Sequence, residues 1–126
     1  MHKSQLAGFI IDCKTDDLDE AAKFWAQALG LNAMLDPGSD ESRYRRLQTG
    51  PGDMVMEVQK VEHDSRVHLD IETDDIEAEV ARLEGLGAHR IKIFERWVVM
   101  EAPTGQHFCV VRPQRANFES TANTWE

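Results

Sequence analysis

An imidazole at His68, a carboxylate at Glu57 and a thiol at Cys109 are side chains of types that could do chemistry. An imidazole both donates and accepts hydrogen bonds, and Asp70, two residues on, is placed to hold it. His68 is then either a histidine facing a cleft or a core histidine satisfied by its neighbours. Glu57 has the chemistry of a proton acceptor, provided a cation polarises the carbonyl next to the proton it takes. Its alternative is an ordinary paired or solvated carboxylate. Tyr44, Met54, Phe94, Trp97 and Met100 supply aromatic and thioether surface for an apolar ligand, or else plain core. Arg43, Arg45 and Arg46 form either a small anion site or a solvated strand edge, whereas Trp25 reads as structural.

Other chemistries lack support. No GxxxxGK or GxGxxG loop is present to cradle phosphates. Ser4, Ser39, Ser42, Ser65 and Ser120 sit in no nucleophile elbow. Cys13 and Cys109 make no disulfide framework and read as buried reduced thiols; neither has local signs of an activated thiolate for a Cys–His pair. Acidic residues outnumber basic ones 23 to 14, for a net charge of -9, which argues against a nucleic-acid surface. Apolar runs such as Trp97–Met100 fall far short of the roughly 18 residues that a membrane-spanning helix needs. Residues 1–6 lack the apolar centre of a secretion signal, so a cytoplasmic location is expected.

The elements that position these groups come from an internal repeat. Residues 12–20 read DCKTDDLDE and residues 70–78 read DIETDDIEA, an offset of 58. Each half begins with an alternating strand that runs into its copy, with Phe9, Ile11 and Cys13 on the apolar face of the first and Val67, Leu69 and Ile71 on that of the second. Their opposite faces carry Ile10, Asp12 and Lys14, and His68, Asp70 and Glu72. After each copy comes a helix, with capping-box-like pairs Asp17/Glu20 and Asp74/Glu77. The expected buried stripes are Leu18, Ala21, Ala22, Trp25, Ala28 and Leu29, then Ile76, Val80, Leu83 and Leu86 beside Ala81. Gly30 and Gly87 suit the helix ends. Short strands are predicted at 31–35, 44–49 and 54–60, then at 89–94, 97–102 and 107–112. Turns at 37–40, 50–53 and 103–105 separate them. The pattern is an α+β chain of one domain, 1–126, in two βαβββ modules at about 6–61 and 66–112, with helices on the outer faces. Residues 113–126 form a tail whose Phe118 and Trp125 either dock on the body or a partner, or belong to a mobile end.

Taken together, Arg66-Val67-His68-Leu69-Asp70, Asp74-Asp75, Leu86-Gly87-Ala88, Trp97–Met100 and the run Pro103–Cys109 resemble the vicinal-oxygen-chelate superfamily. Asp17-Leu18, Phe24-Trp25 and Leu29-Gly30-Leu31 add to the likeness, which covers about residues 6–112 and points to glyoxalase-like, bleomycin-resistance and dioxygenase relatives. The resemblance implies curved mixed sheets around a cleft for a small organic molecule, homodimers, and often a divalent metal such as Zn, Ni, Fe or Mn. Its metal sites draw on four strand positions. Here these carry Ile10, His68, Glu57 (or Gln59 two residues on) and Cys109. Isoleucine donates nothing, so the implied set shrinks to His68, Glu57 and Cys109, with His107 competing and Glu57 the candidate catalytic base. Ligand contacts are expected from His68, Gln59, Tyr44, Trp97, Met54, Met100 and Arg45. Three readings follow: a ligand-binding domain whose catalytic activity is open, a metal-dependent lyase, isomerase or dioxygenase, and a self-association module.

Overall fold

A computed structural model of the protein describes residues 1–34 and 43–126. The turn expected at 37–40, the end of the strand expected at 31–35, and Ser39 and Ser42 lie outside the described residues. The elements run β1 (His2–Lys14), α1 (Leu18–Leu29), β2 (Asn32–Met34), β3 (Tyr44–Gln48) and β4 (Val55–Val61). Then come β5 (Arg66–Thr73), α2 (Ile76–Gly85), β6 (His89–Ile93), β7 (Trp97–Glu101) and β8 (His107–Val111). A short helix α3 (Phe118–Thr121) and strand β9 (Asn123–Trp125) close the chain. Two βαβββ modules are therefore present, as the repeat requires.

The repeated Thr-Asp-Asp is a helix-starting device used twice. Thr15 Oγ1 accepts the Asp17 N–H at 3.0 Å, and Asp17 Oδ1 accepts the Glu20 N–H at 3.1 Å. Thr73 Oγ1 and Asp75 Oδ1 accept the Asp75 and Ala78 N–H groups, each at 3.1 Å. A side-chain oxygen at the N-cap thus satisfies a donor that the helix itself leaves open. This corrects the expected caps in two ways. Asp75, not Asp74, caps α2, because Asp74 instead accepts the Lys3 N–H at 2.8 Å. No reciprocal bond from Glu20 closes a capping box, since Thr15 already holds the Asp17 N–H. Gly30 and Gly87, at φ +70° and +105°, end the helices in the left-handed region that glycine enters without a Cβ clash.

The chain forms two compact units, Phe9–Val67, and Met1–Gly8 with His68–Glu126. In the first, β3 pairs antiparallel with β2 and β4, and α1 covers one face. Its core joins Ile11, Leu18, Ala22, Ala26, Leu47 and Val58. The burial follows an i, i+4 line along α1, so Ala28 and Leu29 turn outward, contrary to the predicted stripe.

In the second unit the strands lie in the order β5-β8-β7-β6, with β5 and β8 parallel and the other pairs antiparallel. Helix α2 contributes Val80 and Leu83 to a core with Ala88, Val98, Met100 and Val110. Leu86 falls past the helix end and is 66% exposed, and Ala81 is also exposed. Strand β5 alternates as predicted, but its burial is reversed. Ile71 packs against the α2 core, whereas Val67 and Leu69 are exposed at 60% and 44%. Eight strand residues span about 26 Å against about 15 Å for the ten-residue helix, so α2 does not cover the whole strand. On the opposite face Glu72 is fully buried, accepting from Gln5 Nε2 at 2.7 Å and the Arg115 N–H at 2.9 Å, and also from the Gln114 N–H.

The tail docks. Strand β9 pairs antiparallel with the first residues of β1, Ser4 opposite Asn123, and Phe118 is buried. Trp125 Nε1 donates to Ser4 Oγ at 2.8 Å, and the Arg82 guanidinium lies 4.0 Å from the centre of the indole ring. Arg82 also donates twice to Glu79, each bond 2.8 Å, and His2 Nε2 is 2.8 Å from the same fully buried carboxylate. Periodicity alone would have left Glu79 outside. Burial alone would push its carboxyl up, but hydrogen bonds from Arg82, His2 and Ser4 outweigh that and hold it below the usual range.

A carboxyl with a lowered folded pKa stabilises the fold above its unfolded value of about 4.3, and that contribution is lost as pH falls through the folded value. Removing one partner of a buried pair costs about 3 kcal/mol, near the low end because Arg82 keeps some solvent. Glu79→Ala is therefore expected to lower urea stability by about that amount at neutral pH and to flatten the acid limb of the stability profile. Unchanged stability of this variant at pH 7 would show the network to be inert. Asp17→Ala and Asp75→Ala are each expected to cost about 1 kcal/mol in the same measurement.

Candidate functional site

Strand register decides which residues share a face. In the Phe9–Val67 unit, Met56 opposes Leu47 and Val58 opposes Arg45, which puts these four on the α1 side. Arg45 there donates to Asp19 Oδ1 at 2.9 Å, and Arg43 meets Glu62 at 3.4 Å. Two of the three arginines of the expected anion site are thus paired with acids. The face away from α1 carries Tyr44, directly opposite Gln59, and Arg46 opposite Glu57. Gln59 Nε2 donates to the Tyr44 hydroxyl at 3.1 Å. Met54 is 40% exposed just before β4, and Ile10 is buried.

Cys13 lies at the edge of this unit's core. Burial pushes its thiol up, with Asp12 adding to the effect and a hydrogen bond with Trp25 opposing it. The thiol donates to the Ile11 carbonyl at 3.6 Å, an arrangement that suits a packing cysteine rather than a nucleophile.

In the second unit Val98, Met100, Phe108 and Val110 face α2, so Met100 is core. The other face carries His68, Asp70 and Glu72 on β5, His107 and Cys109 on β8, and Trp97, Val99 and Glu101 on β7. Trp97 stacks on Phe94 with ring centres 4.5 Å apart. Asp70 is the register partner of Cys109 across the parallel pair, and His68 stands two residues before it, on the same side. One donor atom from each of His68, Asp70 and Cys109 lies within 4.8 Å of the other two, and all three residues are half-buried.

The donor set fits a divalent cation. His68 Nε2 stands 3.4 Å from Asp70 Oδ1, close to the separation of about 3.3 to 3.8 Å between two ligands on one tetrahedral zinc. Among the described residues Asp70 Oδ1 is buried and accepts no hydrogen bond. A buried carboxylate oxygen left so is costly, and a cation offsets that cost. Nitrogen, oxygen and sulfur donors together suit zinc or another borderline transition metal rather than calcium or magnesium.

The structure therefore brings together His68 and Cys109 of the expected ligands, and it supplies Asp70 as the third donor. Glu57 belongs to the other unit. From the sequence, Asp70 is expected only as a support for His68. The signal that could have found it is the i, i+2 spacing, which puts both side chains on one strand face.

The sequence profile of the glyoxalase-like domain matches residues 8–111. No protein of curated function matches the sequence. Among solved structures, a hypothetical protein of Bacillus halodurans superposes with a TM-score of 0.61 at 11% identity, covering 89% of this chain and 96% of its own. The methylmalonyl-CoA epimerase of Mycobacterium tuberculosis gives 0.58 at 16% identity, covering 86% and 87%. A variant of the Streptomyces coelicolor methylmalonyl-CoA epimerase, in complex with 2-nitronate-propionyl-CoA, gives 0.58 at 16%, covering 89% and 97%. At these identities the likeness establishes fold. With the profile spanning most of its length, the chain belongs to the glyoxalase-like domain family of the vicinal-oxygen-chelate superfamily.

Proposed function

We propose that this protein binds a small oxygen-bearing organic molecule at a divalent metal held by His68, Asp70 and Cys109. The observation that carries the reading is the convergence of an imidazole, a carboxylate and a thiol within 4.8 Å on one sheet face, one of the carboxylate oxygens being buried without a hydrogen bond. A metal there would act as a Lewis acid toward a carbonyl or hydroxyl oxygen of the ligand. His68, Asp70 and Cys109 fix its place, and Val99, opposite Cys109, supplies apolar contact beside them. Trp97 lies on the same face and adds aromatic surface for the body of the ligand.

The metal-dependent version is favoured over a metal-free pocket because a cation would bind the Asp70 oxygen more closely than the His68 ring does at 3.4 Å without a hydrogen bond. The structural neighbours include an epimerase that carries a coenzyme A derivative. A ligand with several phosphates fits this chain less well. Its net charge is -9, and Arg43, Arg45, Arg82 and Arg90 are all engaged with carboxylates. A neutral or singly charged ligand is the better match.

Titration of metal-stripped protein with Zn²⁺, Ni²⁺ or Co²⁺ in a calorimeter is expected to give one ion per chain. Thermal stability should rise with free metal, by about 2.7 kcal/mol at one hundred times Kd. His68→Ala should abolish both effects. Wild-type protein that takes up no ion stoichiometrically would sink the reading.

A further inference from the structure

The edge strand β6 brings a cation to the donor-bearing face through an irregularity in its pairing. Its register with β7 matches His89 with Glu101 and Arg90 with Met100, then shifts, so that Lys92 opposes Val99 and Ile93 opposes Val98. Ile91 is the extra residue of a β-bulge. Regular alternation would put residues 90 and 92 on one face. Instead Arg90, opposite the core residue Met100, turns to α2 and pairs with Glu77 and Glu84. Lys92, opposite Val99, belongs to the face of Asp70 and Cys109. Bulges next to binding sites re-aim side chains in this way.

Lys92 ends a row that crosses four strands. Asp70 opposes Cys109, Cys109 opposes Val99, and Val99 opposes Lys92. Two strand spacings, about 9.6 Å, separate the backbone of Cys109 from that of Lys92. The Lys92 ammonium lies 4.8 Å from the centre of the Phe94 ring, and that ring stacks on Trp97. Such a contact holds the long side chain against the aromatic pair without neutralising its charge. Among the described residues Lys92 makes no hydrogen bond and no ion pair, unlike Arg90 on the same strand.

We propose that Lys92 selects a ligand carrying one carboxylate at the end remote from its metal-binding oxygen. This rests on reading His68, Asp70 and Cys109 as a metal site, and it names the substrate class of that site. The body of the ligand lies over Val99 and Trp97, and its carboxylate accepts a charge-assisted hydrogen bond from the ammonium. Lys92 determines specificity and does not ligate the metal, because an ammonium has no lone pair to give.

Two probes on cobalt-saturated protein separate the outcomes. One is suberic acid monohydroxamate, whose methylene chain spaces a carboxylate from a chelating group, and the other is its neutral methyl ester. Calorimetry should show the acid binding tighter than the ester. Lys92→Met, which keeps the stem and removes the charge, should cut that ratio about fivefold. Lys92→Arg should retain the preference, and Lys92→Glu should favour the ester. Wild-type protein that binds cobalt but prefers neither probe, or a preference that survives in Lys92→Met, would overturn this inference alone and leave the bulge as a guard on an open strand edge. Wild-type protein without stoichiometric cobalt would overturn the metal reading, and this inference with it.

Discussion

The parallel register of β5 against β8 is the constraint on which the site depends. With Asp70 opposite Cys109, every donor lands on the face away from α2. A slip of one residue in either strand would turn that strand's donors into the core that α2 covers. Glu72 pins this register. Its carboxylate accepts the N–H groups of Gln114 and Arg115, which follow the end of β8, while its own strand carries His68 and Asp70. At the same end Thr73 and Asp75 fix where β5 stops and α2 begins. A buried acid and a helix cap thus set the position of residues several ångströms away.

The modules were legible in the sequence because their signals are local. Thr-Asp-Asp, an apolar alternation and a glycine after each helix need no knowledge of distant residues. The offset of 58 even matches Asp17 with Asp75, and so contains the correct cap for α2. What stayed hidden was non-local. Glu79 is buried because His2 and Ser4 reach it from the start of the chain and Arg82 from its own helix. The burial of the polar face of β5 depends on Gln5, Gln114 and Arg115, none of them near it in sequence. Asp70 could be placed beside His68 by alternation alone, but its meeting with Cys109 requires a pairing across 39 positions.

Charge connects the composition to the site. Much of the acidic excess does structural work at helix starts, and most of the strong cations with a defined partner are tied to carboxylates. Arg45 holds Asp19, Arg82 holds Glu79, and Arg90 holds Glu77 and Glu84. The remaining field is negative, which raises the local concentration of divalent cations and repels polyanions. The sign of the charge is consistent with the divalent cation proposed above.

The two cysteines bear on the proposed metal reading and on nucleophilic catalysis in different ways. Cys13 packs against the core, and burial raises its thiol pKa, the opposite of what activates a nucleophile. Cys109 faces a carboxylate, its own register partner. A thiolate beside Asp70 would be an anion held next to an anion, with the His68 imidazole between the same neighbours. A divalent cation among Cys109, Asp70 and His68 would change the sign of that interaction: both anions would then gain from being close, and the Asp70 oxygen, which accepts no hydrogen bond from the His68 ring 3.4 Å away, would gain a closer partner. The arrangement that is unfavourable for a free thiolate is the one that a chelated metal requires.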